Sequence, residues 1–211
     1  MTERNQSLPL PNQLLLAVVA LTTMYFLSIA ALPKLIVTEQ NYTDYYWFRA
    51  PWLFVHVVAG LIATLIGWYQ FIPSFRNRYL RVHRVVGRVY LACIAVAALT
   101  AAYLAYLSPG MDTVGKISFM VIPFVWIGTI SLGFAAIRRR RIDQHLEWML
   151  RSYVVTCFFT IFVILTKYLP YEAMGTTYET SVVGITWFSW AVPVFVTEMV
   201  LQGRKIFAAK P

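Results

Sequence analysis

The sequence predicts an all-α, polytopic transmembrane helical bundle built as one integral membrane domain, and three observations predict it. Charge is scarce: 13% of the 211 residues are charged and 59% are hydrophobic, where a water-soluble domain carries about a quarter charged residues. The apolar residues come in runs long enough to cross a hydrocarbon core of about 30 Å, which takes roughly 20 residues as a helix. The basic residues gather between alternate runs rather than spreading along the chain.

Six spans follow, at about 13–36, 51–72, 84–107, 116–137, 147–169 and 182–203. The first contains LLLAVVALTTMYFLSIAAL, longer than the apolar run of about 7–15 residues in a signal peptide. Ser28-Ile29-Ala30 mimics a cleavage site, but the length assigns the segment to the membrane. The second span runs between Pro51 and Pro73 and carries small residues at regular intervals. The third opens on RVHRVVGRVY and ends before Pro109; the fourth lies between Lys116 and the run Arg138–Arg141. The fifth follows Asp143-Gln144-His145 and stops before Pro170. The sixth contains Pro193, as the fourth contains Pro123, and a proline inside a helix removes one backbone bond and kinks it. No segment shows the ten-residue alternation of an outer-membrane barrel.

Charge sets the orientation. Counting the segments alternately, one side receives Arg4, then Arg76, Arg78, Arg81, Arg84 and Arg88, then Arg138 to Arg141 with Arg151, then Arg204, Lys205 and Lys210. That is 14 of the 18 Lys and Arg; the other side holds Lys34, Arg49, Lys116 and Lys167. Under the positive-inside rule both termini are cytoplasmic, in a membrane expected to be the bacterial inner membrane. The net charge of +9 is then topology and attraction to the anionic lipid of the bilayer, and no base-reading motif points to nucleic acid.

Polar residues inside a membrane mark functional sites when they face the bundle interior. His83 begins the third span, His145 the fifth, and His56 lies near the outer end of the second. On the second span His56, Gly60, Ala63, Gly67 and Gln70 share one helix face. Such a stripe lets a neighbouring helix, or a flat ligand, come close. Gln70, His83, Arg84, Arg88, His145, Arg151 and Glu198 all fall toward the cytoplasmic side, and Glu198 is expected to meet an arginine or a histidine there. Plain topology accounts for the arginines, which snorkel to phosphates. It accounts poorly for a mostly neutral imidazole. Cys93 and Cys157 sit mid-span and read as packing. No CxxC, Walker loop, Rossmann glycine pattern or HExxH is present.

HVVAGLIATLIGWYQF, HRVVGRVY and IDQHLEWMLRSY resemble segments of a bacterial membrane family, domain of unknown function 2306. The resemblance runs from the second span through the fifth. It implies a multipass membrane protein and no particular activity.

Three readings of the polar residues remain open. The first is a b-type haem, with electron transfer as its use: His83 and His145 as axial ligands, and Arg84, Arg88 and Arg151 near the propionates. Both spans must then lie close enough for one iron to reach two imidazoles, with His56 standing apart at the other face. The second is binding or transport of an anionic lipid, a quinone or another small amphiphile, headgroup at the arginines and histidines and tail along the Gly60–Gly67 stripe. The third is a structural subunit with no ligand.

Overall fold

The computed structural model describes residues 20–42, 47–109 and 111–208. Helix α1 covers Ala20–Leu35; the expected start of its span at residue 13 lies outside the described residues. The turns of α1 widen over Leu27–Ala31 and tighten over Leu32–Leu35, where Pro33 sits. Helix α2 (Ala50–Gln70) opens on Pro51 and the short α3 (Pro73–Arg78) on Pro73. A first-turn proline costs nothing in hydrogen bonding, because its missing N–H would be unpaired there anyway. Helix α4 spans Leu80–Tyr106 and α5 spans Thr113–Arg138. The Asp112 side chain caps α5, accepting from the Gly115 N–H at 2.8 Å. Helices α6 (Ile142–Thr156) and α7 (Phe158–Tyr168) are one span broken at Cys157, and α8 runs over Tyr178–Ala208.

Five spans are long and apolar enough to cross a membrane: α2, α4, α5, the α6–α7 pair and α8; α1 is shorter over its described part. The prolines at 73 and 170 stand outside helix interiors or at a first turn, whereas Pro123 and Pro193 lie inside α5 and α8. Helix ends differ from expectation by several residues. Helix α4 begins at Leu80 and not 84, and α6 at Ile142 and not 147. Both extensions are polar first turns. Hydropathy marks where the bilayer core begins, while backbone hydrogen bonding carries the helix on into the interface. RVHRVVGRVY is therefore helical throughout, and so is the segment that holds His145.

The bundle closes as a ring: α2 packs on α4, α4 on α5, α5 on α6, and α6 returns to α2. Helix α8 lies outside this ring against α5, α6 and α7. Alanines let the backbones approach: Ala59 and Ala63 of α2 meet Ala97 and Ala98 of α4 in a core completed by Ile94, Trp126, Val155 and Phe158. Little of the apolar surface is inside. Only 17% of the α8 apolar window and 39% of the α5 window is buried within the protein, so the larger share of each faces lipid. Leu99, Phe124 and Phe195 are among the exposed apolar side chains. In hydrocarbon such faces gain nothing by being covered, so packing and internal hydrogen bonds hold the helices together.

Candidate functional site

The charge-rich ends of α2, α4, α6 and α8 lie together. Lys205 near the end of α8 contacts Glu147 near the start of α6 at 2.8 Å. His145 on α6 lies within electrostatic reach of His83 on α4, as do Arg76 and Arg84. The spacing along α4 sorts RVHRVVGRVY into two faces. Arg81, Arg84 and Arg88 are exposed, whereas His83 and Gly87 are half-buried and Tyr90 is buried. Offsets of 3, 4 and 7 residues keep each set on its own side of the helix.

The inner face of α4 meets the end of α2. Gln70 is 9% exposed, and its side-chain amide lies beside Gly87, where a Cβ would stand 3.5 Å from Gln70 Oε1. One turn nearer the surface is His83. Gln70 Nε2 and His83 Nδ1 are both buried, and neither has a hydrogen-bond partner within the protein. Buried polar atoms are almost always paired, so these two orphans at the ends of α2 and α4 call for a physical explanation, as does a third, Trp190 Nε1 of α8. Opposite them, His145 is anchored: its Nδ1 lies 2.9 Å from the Gly133 carbonyl of α5. A neutral ring donates Nδ1–H to that carbonyl, which leaves Nε2 as a free acceptor.

Below these side chains the interior is filled. The rings of Tyr153 and Tyr90 cross Gly67, where an added Cβ would come within 2.6 Å of the first and 2.9 Å of the second. At Gly67 the small-residue stripe of α2 thus serves helix packing and leaves no slot for a flat ligand; at Gly60 nothing lies within 4 Å. Tyr90 Oη is 3.0 Å from both Ser152 Oγ and Thr156 Oγ1, and Trp126 Nε1–H donates to Thr156 Oγ1 at 3.0 Å. Tyr153 donates to the Thr64 carbonyl at 3.0 Å. These tyrosines floor the site, and sequence reasoning missed them. Their signals were present: Tyr90 follows His83 by seven residues, and Ser152 and Thr156 are four apart on one helix face.

Arg151 and Glu198 are brought together, as expected of a carboxylate so placed. Arg151 is 8% exposed; its Nε–H donates to Glu198 Oε2 at 2.9 Å and its Nη2 reaches the same oxygen. Glu147 adds a second carboxylate at 3.7 Å and Trp148 a ring face at 4.7 Å. With Lys205 on Glu147, two cations meet two carboxylates, and the network as a whole is neutral. It ties α8 to α6. Arg151 is thereby engaged, and Arg84 and Arg88 face outward.

His56 stands at the other end of α2, with Nδ1 2.9 Å from the Ala97 carbonyl and 3.3 Å from Thr100 Oγ1. It stitches α2 to α4. Among the described residues no three His, Cys, Asp or Glu are grouped to hold a metal ion.

No curated protein and no solved structure matches the chain. One family model does, that of predicted membrane proteins, DUF2306, over residues 53–201, the stretch from the first turn of α2 through most of α8. With the larger part of its length covered, and with the helical, membrane-crossing architecture described above, the chain belongs to the DUF2306 family of predicted membrane proteins.

Proposed function

We propose that the recess between the ends of α2, α4 and α6 binds the headgroup of a membrane-soluble small molecule. The observation that carries this reading is Gln70. An amide nine-tenths buried, with its nitrogen unpaired, is costly in a bilayer protein, where no bulk water compensates it. A ligand oxygen would satisfy it together with His83 Nδ1, and Nε2 of His145 adds an acceptor. The site lies at the basic end of the bundle, which the positive-inside rule assigns to the cytoplasmic face of the bacterial inner membrane, with both termini on that side.

A second reading has one observation in its favour. His83 lies within electrostatic reach of His145, and the Gly133 carbonyl fixes the His145 ring as second-row partners fix haem-ligating imidazoles. Those two residues would hold the iron of a b-type haem, which would supply one-electron chemistry. The propionates would fall to Arg84 and Arg88, because Arg151 is already held by Glu198 and Glu147.

Purification separates the two. Wild type and Gln70→Leu, extracted in mild detergent, are compared for co-purifying lipophilic molecules by mass spectrometry and for optical spectra before and after dithionite. The proposal expects one compound class enriched with wild type and depleted at least several-fold with Gln70→Leu. A Soret band lost in both His83→Ala and His145→Ala would establish the haem reading. Identical small-molecule content in all four proteins, with no pigment, would leave a structural subunit.

A further inference from the structure

Resting on the ligand-site reading, we infer that the headgroup bound there is uncharged and is held through carbonyl oxygens. The charges near the recess decide this. A phosphate or carboxylate headgroup needs cations aimed at it, preferably guanidinium forks. Arg151, the one buried arginine of this end among the described residues, spends Nε and Nη2 on Glu198 and faces Glu147 with Nη1. Arg81, Arg84 and Arg88 lie on the exposed face of α4, turned from the face that carries His83 and Gly87, and the half-buried Arg76 of α3, within electrostatic reach of His83, gives its Nε–H to Asn77 Oδ1 at 3.4 Å. What the recess itself offers is neutral: the Gln70 amide N–H and the Nδ1 of His83. A neutral imidazole carrying its proton on Nδ1 donates one hydrogen bond, and the amide donates another. Two neutral donors, one at the end of α2 and one near the start of α4, match carbonyl acceptors. An anion set against them would lose its hydration at atoms that carry no charge.

The walls agree. Phe71 follows Gln70 directly, and its ring lies 5.5 Å from that of Tyr153, which also covers Gly67. A flat or ester-bearing group entering from the bilayer meets aromatic edges there, with the Tyr90 and Tyr153 rings setting its depth. Neutral carbonyl acceptors in a membrane come from two sources, a quinone ring and the esters of an acylglycerol.

The test uses the full chain in nanodiscs of neutral lipid and measures binding by calorimetry with three probes: a short-chain ubiquinone analogue, dioctanoylglycerol and dioctanoyl phosphatidylglycerol. Saturable binding of the quinone analogue or of dioctanoylglycerol is expected, and whichever binds identifies the source. Gln70→Leu and His83→Asn should each weaken it about tenfold, the loss of one buried hydrogen bond. Arg84→Gln with Arg88→Gln should change it less than twofold. Gln70→Met serves beside Gln70→Leu, and monodispersity of each variant separates lost binding from lost folding. Phosphatidylglycerol binding that falls tenfold in Gln70→Leu, with no saturable binding of either neutral probe, would overturn the neutral headgroup while leaving the site in place. Neutral-probe binding indifferent to both Gln70 and His83 would overturn the inference as well. Absence of Gln70-dependent binding for all three probes would overturn the site itself.

Discussion

Removing the hydroxyl of Tyr90 isolates the hydrogen bonds that join α4 to α6. Tyr90 is 1% exposed, and its Oη sits 3.0 Å from Ser152 Oγ and 3.0 Å from Thr156 Oγ1. Tyr90→Phe keeps the ring over Gly67 and so creates no cavity larger than an oxygen atom. Side-chain hydrogen bonds inside membrane proteins contribute about 0.6 kcal/mol each on average and at most about 1.7. Two of them give an expected loss of about 1–2 kcal/mol. Thr156 is not stranded by the change, because its Oγ1 still accepts from Trp126 and donates to the Ser152 carbonyl at 2.9 Å. Ser152 Oγ is stranded, being 0% exposed. Tyr90→Phe combined with Ser152→Ala should therefore cost less than the two single changes added together, since removing both partners leaves nothing unpaired. Tyr90→Ala, which also empties the space above Gly67, should cost about 3–5 kcal/mol. The assay is reversible unfolding in mixed micelles, followed by the concentration of denaturing detergent at the midpoint. Wild-type stability in Tyr90→Phe would show that these hydroxyl bonds do not hold α4 to α6. A loss as large as that of Tyr90→Ala would show that the ring position, not the hydroxyl, had been misjudged.

Gly67→Ala drives a Cβ to 2.6 Å from Tyr153 and should destabilise by about 1–3 kcal/mol, whereas Gly128→Ala, with nothing within 4 Å, should be neutral or gain up to about 1 kcal/mol of helix propensity; the same unfolding assay reads both. Glu198→Gln removes a charge from the Arg151 network, and because Glu198 is 41% exposed and Glu147 remains, the cost should stay near 1 kcal/mol rather than reach the roughly 3–5 kcal/mol of a sealed ion pair. Reporter fusions at Pro211 and in the loop near Asp112 should report opposite sides of the membrane, and the same side for both would refute the charge-derived topology.

The five long spans were legible because a membrane helix is written in composition alone, one residue after another. Their ends were not. The polar turns before Val85 and before Trp148 are helical without being apolar, and hydropathy responds only to the second property. The pairing of Arg151 with Glu198 was legible once alternate ends were assigned to one side. What could not be read was the partner of each small residue. Gly67 looks like space in the chain, and only the arrangement of α4 and α6 shows that Tyr90 and Tyr153 occupy it. Gln70 stood out in the chain as the polar end of the stripe, but not as an amide without a partner. Its isolation is a property of the neighbours it lacks, and no local pattern encodes that.

RVHRVVGRVY combines three arginines with a histidine because its two faces meet different surroundings. The arginines at 81, 84 and 88 and the inner residues His83, Gly87 and Tyr90 lie on different sides of one helix. Outward arginines near lipid phosphate fix the depth and direction of α4, and that task needs charge without any particular neighbour. The inward set has the opposite requirement. At the edge of the hydrocarbon, a cation facing the interior would need a carboxylate; Glu147 and Glu198 are already committed to Arg151 and Lys205, and Asp143 is exposed. A group that stays neutral yet still forms directional hydrogen bonds meets the constraint, and imidazole and primary amide do so without importing charge. His83 and Gln70 thus occupy the positions where polarity is tolerable and charge is not. Holding the ion pairs on the α6–α8 side leaves the end of α2 and the inward face of α4 without a charged side chain.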